Sequence, residues 1–354
     1  MSRAKTTAPE IKPDRELLDL MVEDHRRADP SWHATPYWTE IAEPLIECFR
    51  NPHNVRNFRN IPERTGIRSV SPANAGYAPV LAPRARRVAK ALRVVPGVAR
   101  LIRGYEATQV ELIARHQAAF THNLVLSQLL VREQDPEHEA LADFMVGLPD
   151  DVVEIDGRRY SFRGLGYQHL YGEMARRLDV NRLGLVVELG SGYGGQAEVF
   201  LRKLPRVQYV AIDIPPWLYL AELYLQAIFP GQVVGYRETR GVNVPVEMRE
   251  LLGDRRVAIV PSWNWPHLRG TADLFWNSKS IQEMEGHAPV FMRRALENSR
   301  CLFLHAYGKK KVGRVHQPED LRNMVLANGG FREVFFEPDL YAWQNSISMM
   351  FVRV

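Results

Sequence analysis

The chain has 354 residues, of which 45% are hydrophobic and 25% are charged, and its formal net charge is +5 at pH 7. This balance is typical of a folded globular protein, so it excludes a disordered chain, a collagen-like repeat and a small disulfide scaffold. The two cysteines, Cys48 and Cys301, lie far apart in the chain and form no CxxC pair, which excludes a cysteine-rich zinc module.

The composition also sets expectations for location and partners. Scarce cysteine suits a reducing cytoplasm, and no apolar run approaches the roughly 20 residues that cross a bilayer. The first ten residues, MSRAKTTAPE, lack the apolar core of a secretion signal. We therefore expect a cytoplasmic protein without a membrane span. The small positive charge does not by itself indicate a nucleic-acid partner.

Residues 1–150 are predicted to form a mostly helical N-terminal domain. Apolar residues recur at helical spacing in Arg15–Arg27, in Trp38–Arg50 and in a longer stretch, Tyr105–Val131. A break follows at residues 147–150. Beyond it, the pair Asp156-Gly157 separates two short β-prone runs, which predicts a hairpin, and a helix is expected from about residue 166 to residue 178.

Residues 151–354 are predicted to form a second domain, in which strands alternate with helices from Leu183 onward. The predicted strands are Gly184–Leu189, Val207–Ile212, Val257–Val260, Ala272–Trp276, Cys301–Leu304, Phe331–Phe336 and Ser346–Val352. The predicted helices are Gly195–Lys203, Leu218–Ile228, Ile281–Asn298 and Pro318–Asn328. No helical segment separates the last two strands, so the expected fold is a Rossmann-like α/β sheet of seven mostly parallel strands that ends in an antiparallel hairpin.

A glycine-dense turn directly follows the first of these strands, in the sequence LVVELGSGYGGQA at 185–197. Glycine permits positive φ and lets a ligand approach the backbone closely. The next strand ends at Asp213, about 20 residues later, where a carboxylate is placed to accept hydrogen bonds from ribose hydroxyls. The pattern predicts a cofactor that carries a nucleoside. The structural alternative is a tight turn with Asp213 as a helix cap.

Two cofactor classes fit this turn. Gly190, Gly192 and Gly195 satisfy the dinucleotide pattern GxGxxG, but Glu188 stands inside the strand where a dehydrogenase carries an apolar residue. The pattern resembles instead the first motif of class I S-adenosylmethionine (SAM) methyltransferases. This resemblance implies a class I methyltransferase sheet, glycines beside the methionine part of SAM and an acid on the ribose. By this resemblance Glu188, Gly190, Gly192 and Gly194 fall on the first motif and Asp213 on the second. The adjoining Ser191 and Ile214 are also predicted to bind the cofactor.

A narrower resemblance is carried by VVELGSGYGGQA at 186–197, AIDIP at 211–215, DLFWNSKSIQEM at 273–284 and the segment from Asn51 to Arg59. These motifs resemble the sugar O-methyltransferase family, which includes enzymes that act on deoxysugars of polyketide antibiotics. The resemblance implies in-line transfer of a methyl group from SAM to a sugar hydroxyl, on a glycosylated natural product or a nucleotide-sugar. Ser191 and the lysine tract at 309–311 depart from the expected pattern.

The ends of the later strands supply further binding candidates. Ser262 and Trp263 follow the third strand, close to the expected adenine, and Trp265 borders the adenine or the acceptor, or packs within its own domain. Asn277 is placed to meet the cofactor after the fourth strand. Ser280 with Glu283 has the spacing of a capping box at a helix start.

A sugar hydroxyl is a weak nucleophile, so a general base is expected beside it. His305, at the end of the fifth strand, is the first candidate base, His287 is the second, and Glu283 is expected to face the acceptor. Each histidine has an alternative role as a hydrogen-bonded structural residue. His169 and Tyr171 are placed to line the methionine end of the cofactor. The tryptophan-containing segment at 31–38 is a candidate lid.

Several alternatives remain open at this level. The basic stretch Arg84–Arg103 and the tract Lys309–Lys311 fit solvated faces, an anionic membrane surface, RNA or a nucleotide-sugar diphosphate. Rival functions are a nucleic-acid methyltransferase, a non-catalytic SAM-binding protein and a nicotinamide oxidoreductase. A Mg²⁺ ion is compatible with sugar methyl transfer, but no HxH or HExxH motif indicates a metal. The oligomeric state is open, a homo-oligomer included.

Overall fold

The structure is a computed structural model, and it describes residues 9–32, 35–61, 140–155, 157–308, 316–339 and 346–354. Some expectations fall on residues outside these ranges. They are the helix at 105–131, the basic stretch at 84–103, the lysine tract at 309–311 and His33 of the candidate lid.

Most of the predicted helices within the described residues lie close to their predicted positions, but the helix predicted from Ile281 begins only at Ala288, and three short helices are not predicted. The α-helices within the described residues are α1 (Arg15–Arg27), α2 (Pro36–Phe49), α3 (Pro52–Arg56), α4 (Phe162–Ala175), α5 (Gly195–Lys203), α6 (Trp217–Ile228), α7 (Tyr236–Thr239), α8 (Met248–Leu252), α9 (Ala288–Glu297) and α10 (Pro318–Ala327). The Asp14 carboxylate caps α1 by accepting the Leu17 N–H at 2.9 Å. The Ser161 hydroxyl caps α4 by accepting the Gly164 N–H at 3.0 Å.

The strands are β1 (Val152–Ile155), β2 (Arg158–Ser161), β3 (Leu185–Leu189), β4 (Gln208–Asp213), β5 (Val233–Val234), β6 (Val246–Glu247), β7 (Val257–Pro261), β8 (Leu268–Arg269), β9 (Ala272–Ser278), β10 (Ser299–Tyr307), β11 (Phe331–Pro338) and β12 (Ser346–Arg353). The predicted hairpin is β1 with β2, paired antiparallel. All seven strands predicted for the main sheet are confirmed.

The main sheet has the order β11-β12-β10-β9-β3-β4-β7-β5 within the described residues. Its pairs from β5 to β10 are parallel, and β12 runs antiparallel between β10 and β11. This confirms the predicted α/β fold, a sheet of mostly parallel strands with a C-terminal antiparallel hairpin and a helical region before it. The prediction missed one strand, β5, because two valines are too short a run to indicate a strand.

The sheet separates two hydrophobic clusters, because side chains alternate between its faces. One face carries α4, α5 and α6 together with α1 to α3 from the N-terminal region. The opposite face packs against α8, α9 and α10. The N-terminal residues therefore share a core with the sheet. The division into domains at residue 150 stays a prediction.

Helix α1 is tied to the region between β5 and β7 by charged contacts. The Asp24 carboxylate accepts two hydrogen bonds from Arg240, at 2.7 and 2.8 Å, and one from the Tyr236 hydroxyl at 2.7 Å. The guanidinium beside it lowers the pKa of Asp24. None of the helices within the described residues combines the length and apolar character that a membrane span needs.

Candidate functional site

The carboxyl ends of β3, β4 and β7 form what we call the glycine edge of the sheet. The turn after β3 is held to β4 because the Gly190 N–H donates to the Ile212 carbonyl at 2.8 Å. Its glycines adopt positive φ: Gly190 at +77°, Gly192 at +56° and Gly194 at +88°. A Cβ on Gly190 would clash with Ser280 Oγ, whereas no heavy atom of the described residues would lie within 4 Å of a Cβ on Gly192. The backbone at Gly192 is therefore open to a ligand.

Asp213 is fixed at this edge by two backbone donors. Its Oδ2 accepts the Gly192 N–H at 2.7 Å, and its Oδ1 accepts the Ile214 N–H at 2.8 Å. Burial raises the pKa of Asp213 to about 7, and the two N–H groups act in the opposite direction. The carboxylate is thus oriented beside the open glycine, and its contact with a ribose stays a prediction.

Three buried polar atoms around the turn have no hydrogen-bond partner among the described residues. They are Ser191 Oγ, Gln196 Oε1 and Ser262 Oγ. Ser262 directly follows β7, whose last residue pairs with Asp213 on β4. Each unpartnered buried group costs about 1–3 kcal/mol, so a polar ligand that bonded these atoms would stabilise the protein.

Glu188 lies inside β3, on the face of the sheet that carries α4. Its Oε2 accepts the Tyr209 hydroxyl at 2.8 Å, and its side chain is 2% exposed. Burial raises the pKa of Glu188 to about 8, so the carboxyl group is mostly protonated at pH 7. A direct contact between Glu188 and a cofactor stays a prediction, since one oxygen is already engaged within the protein.

The capping box predicted at Ser280 and Glu283 is wrong. The Ser280 hydroxyl donates to the Leu189 carbonyl at 3.1 Å and caps no helix. The segment forms two short 3₁₀ turns, and α9 begins only at Ala288. Asn277 Nδ2 also donates to the Leu189 carbonyl, at 2.8 Å. Asn277 thus holds the start of the glycine turn, and its contact with a cofactor stays a prediction.

The two tryptophans after β7 have different surroundings. Trp263 is half-buried and stacks on His25 of α1, with ring centroids 5.4 Å apart. Trp265 is 3% exposed and stacks on Phe275 and Phe291 in the core. Trp263 therefore stays a candidate for the adenine side. The alternative that Trp265 packs within its own domain is the one observed.

The glycine turn also carries an aromatic anchor that sequence reasoning missed. Tyr193 packs against Phe58 with centroids 5.2 Å apart, and against Tyr224 at 5.0 Å. The Arg59 guanidinium lies over the same ring and donates to both oxygens of Asp143, at 3.0 and 2.8 Å. This buried ion pair lowers the pKa of Asp143. The segment next to α3 thereby clamps the turn, a contact that no local motif signals.

The carboxyl ends of β9 and β10, which run parallel to β3, continue the same side of the sheet, and we call this part of it the histidine edge. Glu188 pairs with Trp276 on β9, which pairs with Phe303 on β10. Two residues further along, His305 therefore lies level with Gly190. Two strand spacings separate them, which is about 10 Å. The first candidate base is thus placed across β9 from the glycine turn.

His305 is one of four buried side chains that meet here from four different segments. We call them the histidine network, and they are His169, His305, Asp339 and Ser348. His169 Nε2 donates to Asp339 Oδ1 at 2.6 Å. His305 Nδ1 lies 3.0 Å from Ser348 Oγ and 3.6 Å from Asp339 Oδ2. None of the four side chains is more than 5% exposed. Sequence reasoning placed His169 at the cofactor and missed Asp339 and Ser348, since about 170 residues separate His169 from Asp339.

Burial sets the charge of His305, and its neighbours act in both directions. Burial lowers its pKa to about 3, and the Lys279 ammonium acts in the same direction, whereas Asp339 opposes them. The imidazole is therefore neutral at pH 7. Lys279 itself has a left-handed backbone, with φ +72°, and its N–H donates to the His305 carbonyl at 2.7 Å.

The other catalytic candidates lie in the segment between β9 and α9. Glu283 is buried, and its carbonyl accepts the Thr35 hydroxyl at 3.3 Å. Its neighbour Gln282 bonds the backbone N–H and carbonyl of Tyr307, which ties this segment to the end of β10. The Nδ1 atom of His287 is buried without a partner among the described residues. Roles for Glu283 and His287 in catalysis stay predictions.

The candidate lid at 31–38 contacts helices on both faces of the sheet. Trp32 packs edge-on against Phe291 of α9, with centroids 5.3 Å apart. Trp38 packs edge-on against Trp217 of α6, at 4.8 Å. With Thr35 bonded to the carbonyl of Glu283, the described part of the segment crosses the loop after β9. In the described part of the chain, no group of three or more His, Cys, Asp or Glu side chains is arranged to hold a metal ion.

The sequence matches no protein-family profile and no curated protein. Among solved structures, similarity is found to the mitomycin 7-O-methyltransferase MmcR, with 15% identity and a TM-score of 0.38 over 54% of this chain and 57% of that one. Magnesium protoporphyrin IX methyltransferase from Synechocystis PCC 6803 with bound SAM is 16% identical, with a TM-score of 0.38. The match covers 54% of this chain and 81% of that one. An O-methyltransferase from neocarzinostatin biosynthesis, in complex with SAM and 2-hydroxy-5-methyl naphthoic acid, is 16% identical, with a TM-score of 0.37. The match covers 55% of this chain and 57% of that one.

Proposed function

We propose that this protein is an enzyme, a SAM-dependent O-methyltransferase that methylates a hydroxyl group of a sugar. The observation that carries the proposal is the glycine edge. There a class I methyltransferase sheet presents an open left-handed glycine, Gly192, an oriented carboxylate, Asp213, and buried polar atoms that lack partners, Ser191 Oγ among them.

The residues present fit SAM. When bound, SAM supplies a methyl group on a sulfonium, whose sulfur takes back the bonding electron pair as the methyl leaves. Asp213 is placed to accept hydrogen bonds from the ribose hydroxyls. Ser191 and Ser262 offer the unpartnered hydroxyls at either side, and Trp263 supplies a flat apolar surface for the adenine.

The same geometry disfavours a nicotinamide dinucleotide. A dinucleotide site needs the backbone of the second glycine to approach the pyrophosphate. Here the Gly192 N–H already donates to Asp213 Oδ2 at 2.7 Å. A pyrophosphate beside that carboxylate would meet like charge, whereas the sulfonium and ammonium groups of SAM would not.

The acceptor is proposed to bind across β9 from the glycine turn, beside His305. His305 is neutral at pH 7, and among the described residues nothing hydrogen-bonds its Nε2. This nitrogen is placed to take the proton of the acceptor hydroxyl as the oxygen forms its bond to the methyl carbon. The resemblance of the motifs to sugar O-methyltransferases supports a sugar on a natural product or a nucleotide as the acceptor.

Calorimetry tests the cofactor, because SAM and NADPH can be titrated separately into the purified chain. We expect binding of SAM and none of NADPH. Asp213→Ala should weaken SAM binding by about 1–3 kcal/mol through lost charged hydrogen bonds. The control Asp254→Ala, at an exposed turn, should leave it unchanged. Binding of NADPH in preference to SAM would contradict the proposal.

Transfer of a labelled methyl group tests the acceptor class. Deoxysugar glycosides, nucleotide-sugars, phenols and RNA are offered in parallel with SAM. Methylation of a sugar hydroxyl is expected. Methylation of phenols or RNA alone would refute the sugar acceptor, and SAM binding without turnover on any acceptor would favour a non-catalytic SAM-binding protein.

A further inference from the structure

The histidine network contains a carboxylate that the proposed reaction does not yet use. Asp339 follows β11 and is 5% exposed. One of its oxygens accepts the His169 N–H at 2.6 Å, and the other faces His305 Nδ1 at 3.6 Å. Its backbone N–H donates to the Ser346 carbonyl at 2.8 Å, which holds the residue between β11 and β12.

This arrangement selects one tautomer of His305. Nδ1 lies 3.0 Å from the Ser348 hydroxyl and faces a carboxylate oxygen, so a hydrogen on Nδ1 has an acceptor and a negative charge before it. A lone pair on Nδ1 would instead point towards that charge. The hydrogen therefore belongs on Nδ1, and Nε2 is left to accept a proton.

The same carboxylate matters once His305 becomes protonated. A buried imidazolium is costly unless an opposite charge lies close. Among the described residues, the charged or titratable groups around His305 are Asp339, Lys279 and His169, and only Asp339 favours the charged ring. His169 fixes the direction of the Asp339 carboxylate from the opposite side.

We propose that Asp339 is a positioning residue for the base His305, setting the tautomer that leaves Nε2 free and stabilising the imidazolium formed when Nε2 takes the acceptor proton. This inference rests on the proposed function for its second half. The first half, the tautomer, is a property of the protein without cofactor or acceptor.

The tautomer is measured first, by ¹⁵N NMR of imidazole-labelled protein without SAM, with His305 assigned through His305→Gln. We expect His305 in the wild type to carry its hydrogen on Nδ1. Asp339→Asn keeps the shape and the backbone contact but presents a neutral amide, so it should shift His305 towards the other tautomer. A wild-type hydrogen on Nε2, or an unchanged tautomer in Asp339→Asn, would overturn the inference.

Turnover is measured next, on the same proteins. Asp339→Asn should lower kcat by on the order of 100-fold or more, while the Kd for SAM stays within about threefold, since Asp339 contacts His169 and His305 and not the glycine turn. His169→Gln retains an N–H donor for Asp339 Oδ1 and should keep most of the turnover. His169→Leu should not. Equal turnover in these two variants, or a kcat of Asp339→Asn equal to that of the wild type, would refute the positioning role.

Ser348→Ala keeps the test decisive if Asp339→Asn fails to fold. It removes the nearest acceptor of the His305 Nδ1 hydrogen and leaves the carboxylate in place, so the wild-type tautomer should persist. A switch to the Nε2–H tautomer in this variant would assign the selection to Ser348 and overturn the role of Asp339. Absence of methyl transfer by the wild type would refute the proposed function, a result separate from the tautomer measurement.

Discussion

The glycine edge and the histidine edge of the sheet treat polar groups in opposite ways. At the glycine edge, the buried hydroxyls of Ser191 and Ser262 lack partners in the described part of the chain, and the backbone at Gly192 faces open space. At the histidine edge, buried side chains bond one another in pairs, His169 with Asp339 and His305 with Ser348. In the proposed function the cofactor would complete the first edge, whereas the second is already a hydrogen-bonded group of side chains.

The pKa values of the titratable groups also shift in opposite directions at the two edges. Burial acts on both, but it raises the pKa of an acid and lowers that of a base. Glu188 and Asp213 are therefore shifted up, to about 8 and about 7, and His305 is shifted down to about 3. At pH 7, Glu188 and His305 are mostly neutral, and Asp213 is about half ionised.

The largest expected effect separates catalysis from cofactor binding. His305→Gln should lower kcat by about 100- to 10,000-fold, because it removes the general base. The Kd for SAM should stay unchanged, since His305 lies at the histidine edge. His53→Gln, at an exposed position in α3, serves as the matched control. Equal kcat values for His305→Gln and the wild type, measured with labelled SAM, would remove His305 as the base.

The second prediction isolates the open glycine at the other edge. Gly192→Ala and Gly231→Ala both place a Cβ in open space on a left-handed backbone, with φ +56° and +75°. Both should lower the free energy of unfolding by about 1 kcal/mol. Only Gly192→Ala should also weaken SAM binding, by tenfold or more. Urea unfolding and calorimetry on the pair measure the two effects, and equal SAM affinity in both variants would exclude Gly192 from the cofactor site.

The smallest effect is a pH dependence of stability with opposite signs at the two edges. Between pH 4.5 and 8, folded Glu188 holds a proton that the unfolded chain has lost, so its contribution to stability falls as pH rises. Asp213 acts in the same direction between pH 3.8 and 7. His305 acts oppositely between pH 3 and 6.5, because the folded chain holds fewer protons there.

Above pH 7 the Glu188 contribution dominates at these two edges. From pH 7 to 8.5 it should cost the wild type about 1 kcal/mol in the free energy of unfolding. Glu188→Gln keeps an acceptor for the Tyr209 hydroxyl and should lose less over the same range. Urea unfolding at the two pH values provides the measurement. A wild type that gains stability from pH 7 to 8.5 while Glu188→Gln does not would contradict the raised pKa.

How much could be predicted depends on the distance along the chain between the residues involved. The glycine turn, Asp213 and the seven strands were all recognised, because each rests on a local pattern of apolar residues, glycines and a strand-ending acid. The Ser280–Glu283 spacing is also a local pattern, but the capping box that it predicts is wrong. The Ser280 hydroxyl donates instead to the carbonyl of Leu189, 91 residues away. A pattern of neighbouring residues cannot indicate such a distant hydrogen-bond acceptor.

Short-range sterics and hydrophobic periodicity are enough to predict the long strands and helices, the turn at the glycine edge and the position of His305 at the end of a strand. The surroundings of these features depend on tertiary packing. It brought Asp339 to His305, placed Phe58 and Arg59 against Tyr193, and put Trp265 in the core. Such contacts join segments far apart in the chain, and they form only when burial of the two faces of the sheet brings those segments together.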